Sequence, residues 1–76
     1  MEQTIINILK NLHPDVDCTT EVRLVDDGIL DSMDIVLLVT ALNAAFHVTI
    51  PAVEILPDNF NSVAALAAMI ERLDDV

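Results

Sequence analysis

The 76-residue chain has room for one small core, and its single cysteine, Cys18, excludes an intramolecular disulfide framework. Hydrophobic residues make up 54% of it but aromatics only 3%, so the core has to be built from Ile, Leu, Val, Ala and Met, which suits a helical bundle better than a β-sandwich. Thirteen acids against three bases leave a net charge of −10, which repels nucleic acid and anionic membrane surfaces and steers basic partners inward.

The opening Met1-Glu2-Gln3 shows neither the basic start nor the apolar run of an export signal. The longest uncharged stretch, from Ile35, is interrupted by Thr40, Asn43, His47, Thr49 and Pro51, too polar and broken for a bilayer span. A cytoplasmic location is the expectation.

In chain order, Ile5, Ile8, Leu9 and Leu12 fall at i, i+3, i+4 and i+7 and predict a first helix, stopped by Pro14. A long acidic connection from about Asp15 to Asp31 follows, punctuated by Val22, Leu24, Val25, Ile29 and Leu30. Loops of this length in small domains are usually functional or anchored on the core. A second helix is predicted from Asp31 or Ser32 to about Phe46, with Ile35, Leu38, Val39, Leu42, Ala45 and Phe46 as its buried stripe. Val53, Ile55 and Leu56, between Pro51 and Pro57, suggest a short irregular helical turn. Ser62 is a plausible cap for a last helix that buries Val63, Leu66, Ala67, Ile70 and Leu73. The expected fold is all-α: a small four-helix bundle in one domain, 1–76, with three main helices, one short helix and a long loop between helices 1 and 2.

The chemistry concentrates in Asp27-Gly28-Ile29-Leu30-Asp31-Ser32-Met33-Asp34. Gly28, the only glycine, is expected to make a turn with positive φ. Asp31 and Ser32 could simply cap the helix that follows. A helix N-terminus also suits a phosphate, yet Asp31 and Asp34 flank Ser32 and would repel a freely diffusing anion. A phosphate held covalently tolerates those acids, which then serve to recognise a basic enzyme.

The Asp31-Ser32-Met33-Asp34 stretch resembles the Asp-Ser-Leu/Met motif of acyl carrier proteins. The pattern from 35 to 46, then Val48, Ile50 and Pro51, is similar to that family's second helix and following loop, and Asn61-Ser62-Val63 to the start of its last helix. The resemblance covers nearly the whole chain. It implies that a separate Mg²⁺-dependent phosphopantetheinyl transferase moves 4'-phosphopantetheine from coenzyme A onto Ser32. The thiol of that arm would carry an acyl or aminoacyl group as a thioester. The chain would then be a carrier and not an enzyme, and Ser32 an attachment site. The implied partners are the transferase, an acyl- or aminoacyl-loading ligase and downstream acyl-processing enzymes, met by a monomer.

The resemblance places the partner surface on the second helix, at Asp31, Met33, Asp34, Val36, Leu37 and Thr40. Independently, Met33, Val36, Leu37, Ala41 and Ala44 form a second apolar set displaced from the core stripe, and such a face is expected to dock a partner. Fatty-acid carriers generally have several acids along this helix, whereas residues 35 to 46 contain none, with Leu37, Asn43 and Ala44 in their places. That departure argues against a housekeeping fatty-acid role. Gly28-Ile29-Leu30-Asp31-Ser32-Met33, together with the longer segment from Pro51 to Asn61, looks closer to stand-alone carriers of the D-alanyl carrier type.

Other candidates carry less. His13 and His47 stand at predicted helix ends, where the helix dipole favours them. The acids Asp15, Asp17, Glu21, Asp26 and Asp27 do not make a calcium loop, since placing its glycine at Gly28 puts Arg23 at the first ligand position. Cys18 has no CxxC partner and reads as a packing residue. Ser32 lacks a nucleophile elbow, so no hydrolase is expected. The competing reading is a non-enzymatic acidic interaction module in which Ser32 is a helix cap only.

Overall fold

The computed structural model describes residues 1–15 and 23–74. The expectations for Asp17, Cys18, Glu21 and Val22 lie outside the described residues. Four α-helices appear among those described: α1 (Glu2–Leu12), α2 (Ser32–Phe46), α3 (Pro57–Phe60) and α4 (Val63–Asp74), with a 3₁₀ turn at Ala52–Glu54. α1 packs against both α2 and α4, and α3 against α4. No helix of the described residues is long and apolar enough to cross a membrane.

Local chemistry sets the boundaries. α1 ends where the His13 N–H donates to the Leu9 carbonyl (2.8 Å), just ahead of Pro14. α2 ends at His47, which takes the left-handed conformation with φ 55°. The segment between Pro51 and Pro57 folds as the 3₁₀ turn, and Pro57 then opens α3 at its first position, where a missing N–H costs nothing. Ser62 caps α4 as expected: its Oγ accepts the Ala65 N–H (3.1 Å) and its carbonyl the Leu66 N–H (3.0 Å).

The core gathers Ile5 and Leu9 of α1, Leu38 and Leu42 of α2, Leu24, Leu30, Ile50 and Phe60, and Val63, Leu66, Ala67, Met69 and Ile70 around α4. Ile8, Leu12, Ile35, Val39, Phe46 and Leu73 are half-buried at its edge. Ala45, assigned to the buried stripe by spacing, is exposed. It stands in the last turn of α2, on the margin of the stripe beside the equally exposed Ala44.

Among the described residues one polar side chain lies inside, and it holds the loop. Asn61 is buried just ahead of α4, and its Oδ1 accepts the N–H groups of Val25 (2.9 Å) and Asp26 (3.1 Å). Its Nδ2 donates to Asp26 Oδ2 (3.1 Å), and its carbonyl accepts the Leu24 N–H (2.9 Å). The loop then closes on itself: Gly28 N–H donates to the Val25 carbonyl and Leu30 N–H to that of Leu24. Gly28 has φ 77°, the positive value expected, and Leu24 and Leu30 are buried anchors. This closed turn delivers the chain to the start of α2.

Candidate functional site at the start of helix α2

Asp31 is the residue that caps α2. Its Oδ1 accepts the Asp34 N–H (2.9 Å), and Asp34 Oδ2 accepts the Asp31 N–H in return (3.3 Å), a reciprocal capping box. Ser32 is therefore the first helical residue, exposed, and its hydroxyl forms no hydrogen bond among the described residues. Reading Ser32 as a cap only is thus corrected. The neighbouring carboxylate does the capping and leaves the serine oxygen without a structural duty.

The two flanking acids differ. Asp31 is exposed. Asp34 faces inward, its side chain 18% exposed, and its Oδ2 lies 2.7 Å from His13 Nε2 at the end of α1. The His13 hydrogen bond holds the Asp34 carboxyl below its ordinary value; partial burial opposes this, and the Asp31 backbone N–H adds to the lowering. Because an ionised carboxylate only accepts, His13 Nε2 carries the proton in this contact. Sequence reasoning placed both histidines at helix ends but missed this pair, which joins positions 21 residues apart.

Along α2 the remaining expected surface residues divide by role. Met33, Val36 and Leu37 are 66%, 59% and 48% exposed, large apolar side chains on one outward face. Ala44 is exposed beside them, whereas Ala41 is half-buried. Thr40 is exposed, and its hydroxyl donates back to the Val36 carbonyl (3.0 Å). Beside Ser32 runs an open groove of about 390 Å³, lined by Ser32, Ile35, Val36, Val39, Thr40 and, from the far side, Ile55. Ile55 follows the 3₁₀ turn, which Glu54 fixes by two contacts to Arg72 of α4 (3.0 and 3.3 Å). Asn59 Nδ2 also donates to the Glu54 carbonyl (2.7 Å).

These features fit a covalently attached phosphopantetheine. The oxygen that would bear it is solvent-facing and unengaged, stands at the positive end of a helix, and opens beside a groove with room for a flexible arm. Among the described residues no group of three or more His, Cys, Asp or Glu side chains is placed to hold a metal.

Comparison with known proteins agrees. Residues 3–70 match the family described as phosphopantetheine attachment site. The chain belongs to the acyl carrier protein family: it is a carrier, and its cofactor is covalent 4'-phosphopantetheine. It is 48% identical over 54 residues to "Aminoacyl carrier protein 1" of Bradyrhizobium diazoefficiens, a match covering 71% of this chain and 59% of that protein. It is 31% identical over 74 residues to the "D-alanyl carrier protein" of Streptococcus pyogenes, covering 96% of this chain and 94% of the relative, and equally to that of Streptococcus suis. No solved structure gives a significant match. Members of the family are typically non-catalytic and work with phosphopantetheinyl transferases and loading ligases.

Proposed function

We propose that Ser32 is the attachment residue and that residues 1–76 form one cytoplasmic, monomeric aminoacyl carrier domain without catalytic activity of its own. The observation that carries this reading is the exposed, unbonded Ser32 hydroxyl directly after a capping aspartate, at the first position of α2. On attachment, the Ser32 oxygen displaces adenosine bisphosphate from the pyrophosphate of coenzyme A and gives its proton to the transferase, leaving a phosphodiester. The attached arm ends in a thiol, which supplies a thioester-forming group for cargo.

An amino acid is favoured as cargo because both kinds of similar protein are named for aminoacyl or D-alanyl groups. The absence of acids from 35 to 46 points the same way, since fatty-acid carriers generally have them there. In this reading Met33, Val36, Leu37 and Thr40 meet the transferase, the ligase and downstream enzymes. Asp31 meets their basic side chains, and Asp34 contributes from behind.

Intact mass after incubation with coenzyme A, Mg²⁺ and a promiscuous phosphopantetheinyl transferase tests the attachment. One phosphopantetheine on the wild type and none on Ser32→Ala is expected, with the fold kept because Asp31 retains the cap. Modification of Ser32→Ala, or an unmodified wild type beside a modified control carrier, rejects it. Loading of the holo-protein by aminoacyl ligases, compared with fatty-acyl ligases, then decides the cargo class.

A further inference from the structure

We infer that His13 is a positioning residue for Ser32, acting through Asp34: it fastens the first turn of α2 to the end of α1. The inference rests on Ser32 being the attachment residue. It starts from the way one oxygen is shared. Asp34 Oδ2 faces His13 Nε2 at 2.7 Å and is also the acceptor for the Asp31 N–H at 3.3 Å. The shorter contact is with the histidine, so it is His13 that fixes the carboxylate in space, and the capping box closes upon it.

Ser32 lies between the two members of that box. The loop leading to it is held by Asn61 at residues 24 to 26 and by the buried Leu24 and Leu30, but all of these act before Asp31. Beyond Asp31 the first buried side chain of α2 is Leu38. Between those anchors Ile35 packs half-buried at the core's edge, and the only side-chain hydrogen bond from the first turn to another element, among the described residues, is the His13–Asp34 contact. Helix ends fray where such links are missing. The fastening is also placed to last: His13 is 28% and Asp34 18% exposed, so the pair is partly shielded from water.

The arrangement has a second consequence near the reacting oxygen. A free Asp34 carboxylate would swing beside Ser32 and meet the pyrophosphate of incoming coenzyme A with like charge. Turned toward His13, it is withdrawn from that approach and its charge faces a proton donor. Asp31, Asp34 and His13 are the titratable groups in this network. Lys10 in the last turn of α1 and Asp15 after it are both exposed.

Transfer from coenzyme A by a phosphopantetheinyl transferase, measured well below the melting temperature of every variant, tests this. His13→Ala removes the contact, His13→Gln returns an N–H donor at the reach of Nε2, and His13→Asn offers one too short to arrive. Misplacing a reacting atom lowers turnover more than docking, so kcat should fall about three- to tenfold in His13→Ala and His13→Asn, with KM changed less than about twofold. His13→Gln should recover to within about twofold of the wild type. Faster amide hydrogen exchange at Asp34 and Ile35, whose N–H groups are bonded to Asp31, is expected alongside in His13→Ala and His13→Asn, against His13→Gln. Unchanged kcat in His13→Ala, a loss carried entirely by KM, or rates that follow melting temperature instead of the donor overturns the inference. A wild type that no transferase modifies overturns the attachment reading itself, which separates the two failures.

Discussion

Helices α2 and α4 are both rich in apolar residues, and they spend them differently. α4 has 12 residues and buries five of them, Val63, Leu66, Ala67, Met69 and Ile70, while its exposed positions are alanine or charged residues such as Glu71 and Arg72. α2 is longer, at 15 residues, and more apolar, yet buries only Leu38 and Leu42 to the same degree and leaves Met33, Val36 and Leu37 in water. Apolar surface costs solubility when exposed, so a helix that keeps it outside has a use for it. α4 is the wall of the core. α2 is the helix proposed to face partner proteins, and the carrier's proposed attachment residue stands at its start.

The largest effects should follow that division. Leu66→Ala and Leu38→Ala, both at fully buried sites, should each cost about 2–5 kcal/mol in urea unfolding, from lost transfer energy and the cavity left behind. Met33→Ala and Val36→Ala should stay within about 0.5 kcal/mol of the wild type while weakening binding to a modifying or loading enzyme. A Val36→Ala protein as unstable as Leu66→Ala would erase the distinction between the two helices.

Much of this contrast was legible in the residues. Period-3.6 spacing located both stripes and the first helix, because burial on one helix face leaves a repeat in the sequence. The Asp31-Ser32 start of α2, the positive φ of Gly28 and the Ser62 cap were legible too, since each needs only local chemistry. Met69 and Phe60, both fully buried, escaped because they fall outside the stripes that spacing draws. Asn61 and the His13–Asp34 pair escaped for another reason. They link positions 35 or 36 and 21 residues apart, and a hydrogen bond across such a distance leaves no period to read. Those long-range bonds orient the site; the local rules only make its parts.

The starts of the two helices differ as their faces do. Ahead of α4 stands Asn61, an uncharged amide that satisfies loop N–H groups from within the core. Asn61→Ala would leave the Val25 and Asp26 N–H groups without that acceptor, and a loss of roughly 1–3 kcal/mol is expected in urea unfolding. Because the loop leads to Ser32, phosphopantetheine transfer should slow as well. A stable, fully modifiable Asn61→Ala protein would mean that Leu24 and Leu30 alone set the loop.

The start of α2 depends on charge instead, and acid should expose the difference. The folded protein holds Asp34 below the ordinary carboxyl value of 3.8, chiefly through His13. A lowered folded-state value means that the unfolded chain takes up this proton first as pH falls. The stability that the ionised group contributes is therefore complete above the unfolded value. It declines through 3.8 and is gone below the lowered folded value. Asp34→Asn keeps an acceptor oxygen but not the charge, so it should be less stable than the wild type at neutral pH. The gap should close as pH drops below 3.8, while the other carboxylates titrate alike in both proteins and cancel from the comparison. Asn61→Ala should show no such convergence, because the amide it removes does not titrate. A gap between Asp34→Asn and wild type that persists unchanged into acid would assign the effect to packing at the α1–α2 junction and not to the carboxylate's charge.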